Sequence, residues 1–298
     1  MESHKSTVLI LGAQGMLGQE LSRVFGESKQ YTVLSWDREE INLTDYSKME
    51  AKIREANPDI IINAVAYNAV DLCETDTLEG EKARMLNTEV PQRLARLAEE
   101  SESILVHYST DYVFDGTEEQ GYTEDAQPKP LSHYGLTKWK GEEAVRAESK
   151  KHYVIRLSKL FGAKALSADG KQSFFEKMLA VAEGETEVSA VDGERSCFTY
   201  APDLAAATRA LIEDQAAFGI YHLANSGVAT WYEAAQELFH LARPDVVVHP
   251  VSPDVFPRPA KRPQCSGLRN TKRPLLRDYR EALREFVTGK IERNTSDV

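Results

Sequence analysis

Cysteine is scarce. Cys73, Cys197 and Cys265 are the only three in 298 residues, and they stand far apart. They make neither a disulfide framework nor a metal-ligand cluster, so no metal is expected and a reducing compartment suits them. Long apolar runs are missing too. The best, Ile60-Ile61-Ile62, stops at Asn63, far short of a bilayer span. Residues 1–7 are polar and carry no apolar leader stretch. A membrane partner is therefore not expected, and the expected location is cytoplasmic. Positive charge is also in deficit: the formal net charge of -11 argues against a nucleic-acid partner. One segment reverses that deficit. From Arg258 to Arg277 there is no acidic residue, while Arg258, Lys261, Arg262, Arg269, Lys272, Arg273 and Arg277 all occur. Such a stretch can receive an anionic ligand or can simply be solvated.

The remaining composition, 42% hydrophobic and 28% charged, fits a soluble globular chain of one large domain or two smaller ones. The first half alternates between short apolar runs and helical spacing. Strands are expected at 7–11, 31–35, 59–64, 104–109 and 153–157, and helices at 16–25, 46–56, 89–100 and 132–149. Continuous apolar strands alternating with helices imply an α/β fold, a doubly wound parallel sheet covered on both faces. After residue 158 the pattern loosens. Helices are expected at 174–182, 204–213, 231–241 and 279–287, with a strand at 220–223. Residues 243–277 read as loop, and 292–298 as a frayed tail. The expected division is 1–157 for a dinucleotide-binding domain, with 201–217 returning to it. Residues 158–298 then form mainly a smaller substrate-binding lobe over the strand ends.

Two motifs carry chemistry. The first is Gly12-Ala13-Gln14-Gly15-Met16-Leu17-Gly18, after the apolar run Val8-Leu9-Ile10-Leu11 and before a helix. Its glycines permit a tight turn, and a helix N-terminus offers free N–H groups to a pyrophosphate. Glycines serving only a tight turn are the plainer alternative. About twenty residues on, Asp37 is suited to a ribose 2′-hydroxyl and Arg38 to a 2′-phosphate, so the residues fit NAD(H) and NADP(H) alike. Asn42 and Leu43 are placed to flank an adenine. Asn63-Ala64-Val65-Ala66 offers small residues at a strand end, which tight strand–helix packing also explains.

The second motif is Tyr134-Gly135-Leu136-Thr137-Lys138, preceded by Ser109-Thr110-Asp111-Tyr112. Tyr134 and Lys138 stand four apart on a helix and share a face. An ammonium beside a phenol is expected to lower the phenol pKa and favour proton transfer. Thr110 can bond the same substrate oxygen. A surface Tyr/Lys pair is the default for this spacing alone. The strand-end hydroxyl and the upstream glycine turn favour chemistry.

With these residues in place, the chain resembles the extended short-chain dehydrogenase/reductases, and within them the dTDP-4-dehydrorhamnose reductase family. The resemblance rests on Gly12 to Gly18, the run from Asn63 to Asp71, Ser109 to Gly116, Tyr134 to Lys138, Trp231 and Arg262-Pro263, and it spans nearly the whole chain. It implies a Rossmann-type fold and an oxidoreductase that reduces the 4-keto group of a nucleotide sugar with NADP(H) or NAD(H). In that pattern Tyr134 is the proton donor, with Lys138 and Thr110 beside it. The resemblance puts cofactor contacts on Gly15, Met16, Leu17, Asp37, Asn42, Leu43, Ala66, Tyr67 and Asn68, and the motifs themselves add Gly12, Gln14, Gly18, Arg38, Ala64, Tyr134 and Lys138. Substrate contacts fall on Val70, Asp71, Thr110, Asp111, Tyr112, Trp231 and Arg262, and the basic segment is expected to hold the diphosphate. The resemblance is also compatible with a homodimer, sometimes metal-assisted at a position matching Glu20. A lone glutamate on an amphipathic helix is ordinarily just solvated.

The chain departs from the family pattern at Leu157-Ser158-Lys159, where Thr-Ser-Trp is usual, at Ser196-Cys197-Phe198-Thr199, where Gly-Ser-Pro-Thr is usual, and at Asn68, where threonine is common. Lys159 is suited to reaching a carboxylate or phosphate. The alternative readings are a sugar-nucleotide epimerase and a non-catalytic subunit resembling the regulatory subunit of methionine adenosyltransferase. A dehydratase is disfavoured because Tyr112 stands where Thr-Asp-Glu would place an acid.

Overall fold

A computed structural model describes residues 5–167 and 170–296, with side chains described to residue 290. The chain opens with β1 (Ser6–Leu11), α1 (Met16–Gly26), β2 (Tyr31–Trp36), α2 (Tyr46–Ala56) and β3 (Ile60–Asn63). The short α3 (Leu72–Thr75) and α4 (Thr77–Arg84) follow, then α5 (Val90–Glu100), β4 (Ile104–Thr110), α6 (His133–Glu148) and β5 (His152–Leu157). The second part holds β6 (Leu160–Phe161), α7 (Phe174–Val181), β7 (Glu187–Val191), β8 (Thr199–Tyr200), α8 (Ala201–Glu213) and β9 (Gly219–His222). It ends with β10 (Asn225–Ser226), α9 (Trp231–Ala242), β11 (Val247–Val251), β12 (Leu276–Asp278) and α10 (Tyr279–Ser296).

Six strands form one parallel sheet in the order β2-β1-β3-β4-β5-β9. Their middle residues are apolar without alternation because both faces are covered. Val8, Ile10, Ile62 and Ile155 pack with Leu17, Leu21 and Phe25 of α1 and Leu204 and Leu211 of α8. Leu9, Leu11, Ile61 and Val154 pack on the other face with Met49, Ile53, Leu94 and Val145. The strand order reverses at β1, between β2 and β3, so the loops after β1 and β3 diverge and leave a crevice at the carboxyl end.

A third core, with Phe161, Phe175, Phe198, Leu238, Phe239, Tyr279 and Phe286, belongs to the second part of the chain. The segment read as loop, 243–277, holds a real strand: β11 pairs in parallel with β7, Val248 opposite Val188. The pairing is a two-stranded edge that tolerates Pro250. The last helix is also longer than expected, continuing to Ser296 rather than fraying at 292. Residues 297 and 298 lie outside the described residues.

The basic segment is not an open cationic surface. Arg258 pairs with Glu194, Arg262 with Asp71, Arg273 with Asp214, and Arg277 with Asp203 and Glu285. Apart from Glu285, the acids come from distant parts of the chain, which sequence proximity does not reveal.

Candidate active site

A cavity of about 1120 Å³ opens at the carboxyl ends of the central strands. That exceeds the ~300–1,000 Å³ of ordinary small-molecule sites and leaves room for two ligands side by side. One end is walled by Gly12, Gly15, Met16, Leu17 and Gly18, with Asp37, Arg38, Asn42 and Leu43 beside them. The strip after β3 contributes Ala64, Ala66, Tyr67 and Asn68. The middle carries Thr110, Tyr134 and Lys138, and the far end Lys159 and Trp231 with Phe174 and Phe198.

The glycine turn is built for close approach. Gly12 has φ +81°, open to glycine at little cost. A Cβ on Gly18 would stand 2.0 Å from the Gly12 carbonyl oxygen, so α1 starts flush against the turn only with glycine there. The residue before the helix, Gly15, offers no side-chain cap, which leaves the first N–H groups of α1 for a ligand at the cavity wall. These features fit the pyrophosphate of a dinucleotide. Asp37 ties the turn to β2: its carboxylate accepts from the Gln14 N–H at 2.9 Å and the Arg38 N–H at 2.8 Å. Gln14 itself faces a small neighbouring hollow rather than the main cavity.

The strip after β3 is clamped by a residue that the sequence reading passed over. Asn87 sits buried in a π-helical turn, Met85–Glu89, between α4 and α5. Its side chain accepts from the Tyr67 N–H and donates to the Tyr67 carbonyl, both at 2.9 Å. It also donates to Thr137 on α6 at 3.2 Å. Polar Asn87 in an otherwise apolar helical face was the available signal, and π-turns recur at functional sites. Lys171, whose ammonium donates to the Asn68 carbonyl at 2.7 Å, left no signal in the sequence.

Helix α6 starts at Ser132, whose side chain accepts from the Gly135 N–H. A Cβ on Gly135 would stand 2.3 Å from the Tyr112 carbonyl oxygen. Glycine thus lets α6 press against the turn after β4 and brings Tyr134 and Thr110 to one wall. Burial pushes the Tyr134 phenol well above its ordinary value, and only the Thr110 hydroxyl pulls it back. The expected lowering by Lys138 is absent. The Lys138 ammonium donates to the Tyr108 carbonyl at 2.5 Å. Burial brings its pKa down to about 8, against the field of Glu142 one turn on. Four-residue spacing fixes the shared face, but a four-carbon side chain is long enough to choose another acceptor.

Several expected substrate residues do not line this cavity. Among the described residues that line the cavity, Val70, Asp71, Asp111, Tyr112 and Arg262 are not found. Arg262 holds Asp71 through two bonds of 2.5 and 2.7 Å, and this pair keeps the Asp71 carboxyl below its usual range. Asp111 accepts from Ser266 at 2.6 Å and from Thr110 at 3.2 Å, and burial raises it to about 6. Tyr112 lies edge-on to Tyr134, ring centroids 6.0 Å apart. Lys159 and Trp231 do face the cavity, with the ammonium 3.8 Å above the indole ring.

A family model described as "RmlD substrate binding domain" matches residues 6–291. The chain belongs to the dTDP-4-dehydrorhamnose reductase family. A Streptomyces antibioticus relative, a probable dTDP-4,6-dihydroxy-2-methyloxan-3-one 4-ketoreductase, is 38% identical, with 93% of each chain covered. The dTDP-4-dehydrorhamnose reductase of Mycolicibacterium smegmatis is 33% identical, covering 97% of this chain and 87% of that one. Among solved structures, the Bacillus anthracis dTDP-4-dehydrorhamnose reductase, a complex with NADP, has a TM-score of 0.88 at 30% identity. It covers 96% of this chain and 100% of that one. Membership in the reductase family agrees with the parallel sheet and the strand-end cavity. Among the described residues no helix is long and apolar enough to cross a membrane.

Proposed function

We propose that this chain reduces the 4-keto group of a dTDP-linked 6-deoxysugar, dTDP-4-dehydrorhamnose or a close relative, with NADPH or NADH. The observation that carries the reading is the continuity of one cavity, from the glycine turn through Thr110, Tyr134 and Lys138 to the aromatic end. The reading is supported by the named activities of the relatives. In it, residues 1–157 with 201–217 hold the dinucleotide, and 158–298 mainly hold the sugar nucleotide.

The turn at Gly12, Gly15 and Gly18 with the N-terminus of α1 would hold the pyrophosphate, and Asp37, Arg38, Asn42 and Leu43 the adenosine end. When bound, the reduced nicotinamide supplies hydride to the carbonyl carbon. Tyr134 gives its proton to the carbonyl oxygen. Burial keeps the phenol protonated at neutral pH, so it is present as the acid. The oxygen that receives the proton develops alkoxide character and is far more basic than phenolate, so transfer runs forward. Thr110 supplies a hydroxyl beside the same oxygen. Lys138 holds positive charge under the β4 end through the Tyr108 carbonyl. A positioned acid of this kind contributes roughly 10²–10⁴-fold.

The test is stoichiometric. Purified protein is given NADPH or NADH and a dTDP-4-keto-6-deoxysugar, with cofactor followed by absorbance and product stereochemistry by NMR. One reduced cofactor consumed per 4-hydroxy sugar is expected. Tightly retained cofactor with no net consumption, alongside an epimerised product, would overturn the reading in favour of an epimerase.

A further inference from the structure

We propose that Lys159 determines sugar specificity in this site: its ammonium donates to a hydroxyl oxygen of the keto-sugar ring, at a carbon other than the one reduced. The proposal rests on reading the cavity as a keto-sugar reductase site. Its starting point is an unfilled requirement. The Lys159 Nζ is buried and has no hydrogen-bond partner, although an ammonium carries three donors. A buried donor without an acceptor is costly, and native interiors rarely leave one so unless a ligand completes it.

The ammonium is held in place. It lies 3.8 Å over the Trp231 ring and 4.9 Å from the Phe198 ring, which themselves meet edge to face at 5.6 Å. Such cation–π contacts hold the charge without using its hydrogen-bonding directions. The backbone at Lys159 is left-handed, φ +38°, a conformation that side chains with a Cβ adopt only at a cost. Strain of this kind persists where surrounding structure enforces it, and it collects at ligand sites. Lys159 also lines the same cavity as Tyr134 and Thr110.

The charge around Lys159 selects among oxygens. Asp111 and Glu194 place negative potential on the ammonium, without contact. Their oxygens are engaged elsewhere. Asp111 accepts from Ser266 and Thr110, and Glu194 accepts from the Trp231 Nε1 at 3.1 Å and from Arg258. A substrate carboxylate would meet the field of Asp111, while Arg258 offsets that of Glu194. A neutral hydroxyl completes the ammonium without repulsion. Burial, which lowers Lys159 to about 8, adds to the demand for an acceptor. A site that hydrogen-bonds a substrate hydroxyl discriminates strongly against the analogue lacking it.

The test compares wild type and Lys159→Met on a dTDP-4-keto-6-deoxysugar and on its 2-deoxy and 3-deoxy analogues, by kcat/KM. Dinucleotide binding, measured by fluorescence titration, reports whether the variant is folded. Wild type is expected to prefer the parent over one deoxy analogue by on the order of 10²-fold, the worth of a hydrogen bond to a charged group. Lys159→Met is expected to lose that factor on the parent and to treat parent and analogue alike, with dinucleotide binding unchanged. Undiminished discrimination in Lys159→Met overturns the proposal, as does an equal loss on all three sugars or a wild type that turns over all three alike. Those outcomes leave the reductase reading intact, whereas absence of turnover with every keto sugar overturns both.

Discussion

The helix that carries Tyr134 is anchored by an ion pair sealed from water, and breaking it is the sharpest structural perturbation available. Arg156 on β5 and Glu142 on α6 have side chains 1% and 2% exposed. The guanidinium donates to both carboxylate oxygens, at 2.9 Å from Nε and 2.6 Å from Nη2. Ser109 adds a further donor to Glu142, and Arg156 also reaches the Glu124 carbonyl at 3.4 Å and the Phe114 ring face. Glu142→Leu would leave a buried, unpaired guanidinium. Removing one partner of such a pair costs about 3–5 kcal/mol, a large share of the ~5–15 kcal/mol that holds a typical domain together. The double variant Glu142→Leu/Arg156→Met removes both charges and should recover most of the loss, since well-packed apolar pairs often match buried ion pairs. Urea unfolding at pH 7, followed by tryptophan fluorescence, measures both. A loss under about 1 kcal/mol in the single variant would refute this account of α6. A double variant as unstable as the sum of the two singles would refute it equally.

Gly18→Ala should destabilise by about 1–3 kcal/mol and weaken dinucleotide binding, because its Cβ meets backbone at 2.0 Å. Gly26→Ala, in the same helix with nothing within 4 Å, should stabilise by about 0.5–1 kcal/mol; urea midpoints of both check the contrast. Lys138→Met should abolish turnover yet stabilise the cofactor-free protein. Burial lowers its folded pKa from 10.5 to about 8, so removing the charge should gain on the order of 3 kcal/mol below pH 8, less about 1 kcal/mol for the lost bond to Tyr108. The unfolded chain binds the extra proton between pH 8 and 10.5, so the gain fades as pH rises through that window. Unfolding at pH 7 and pH 10 checks it, and a variant less stable than wild type at pH 7 would contradict it.

Much of the first half was legible in the sequence because its strands are buried on both faces. Val8-Leu9-Ile10-Leu11 and Ile60-Ile61-Ile62 can be little else, and Gly12 to Gly18 marks the turn between strand and helix. The second half hid more. Strands such as β6, β8 and β10 are two residues long, and β11 is an exposed edge carrying Pro250, so neither alternation nor an apolar run betrays them. Of the expected site residues, Gly12, Thr110, Tyr134 and Lys138 do line one cavity, Val70, Asp71, Asp111, Tyr112 and Arg262 do not, and the partners of the polar side chains were not readable at all. That Lys138 bonds the Tyr108 carbonyl, that Arg262 is taken by Asp71, and that Asn87 clamps Tyr67 depend on contacts between residues 20 to 191 positions apart.

The proposed reduction turns on the Tyr134 phenol as the acid that would protonate the substrate oxygen beside the dinucleotide. Its most direct test is Tyr134→Phe in single-turnover cofactor oxidation with a dTDP-4-keto-6-deoxysugar, paired with a dinucleotide binding titration. Oxidation is expected to slow by roughly 10²–10⁴-fold while dinucleotide affinity stays within about twofold of wild type. Oxidation at the wild-type rate by the phenylalanine variant would contradict it.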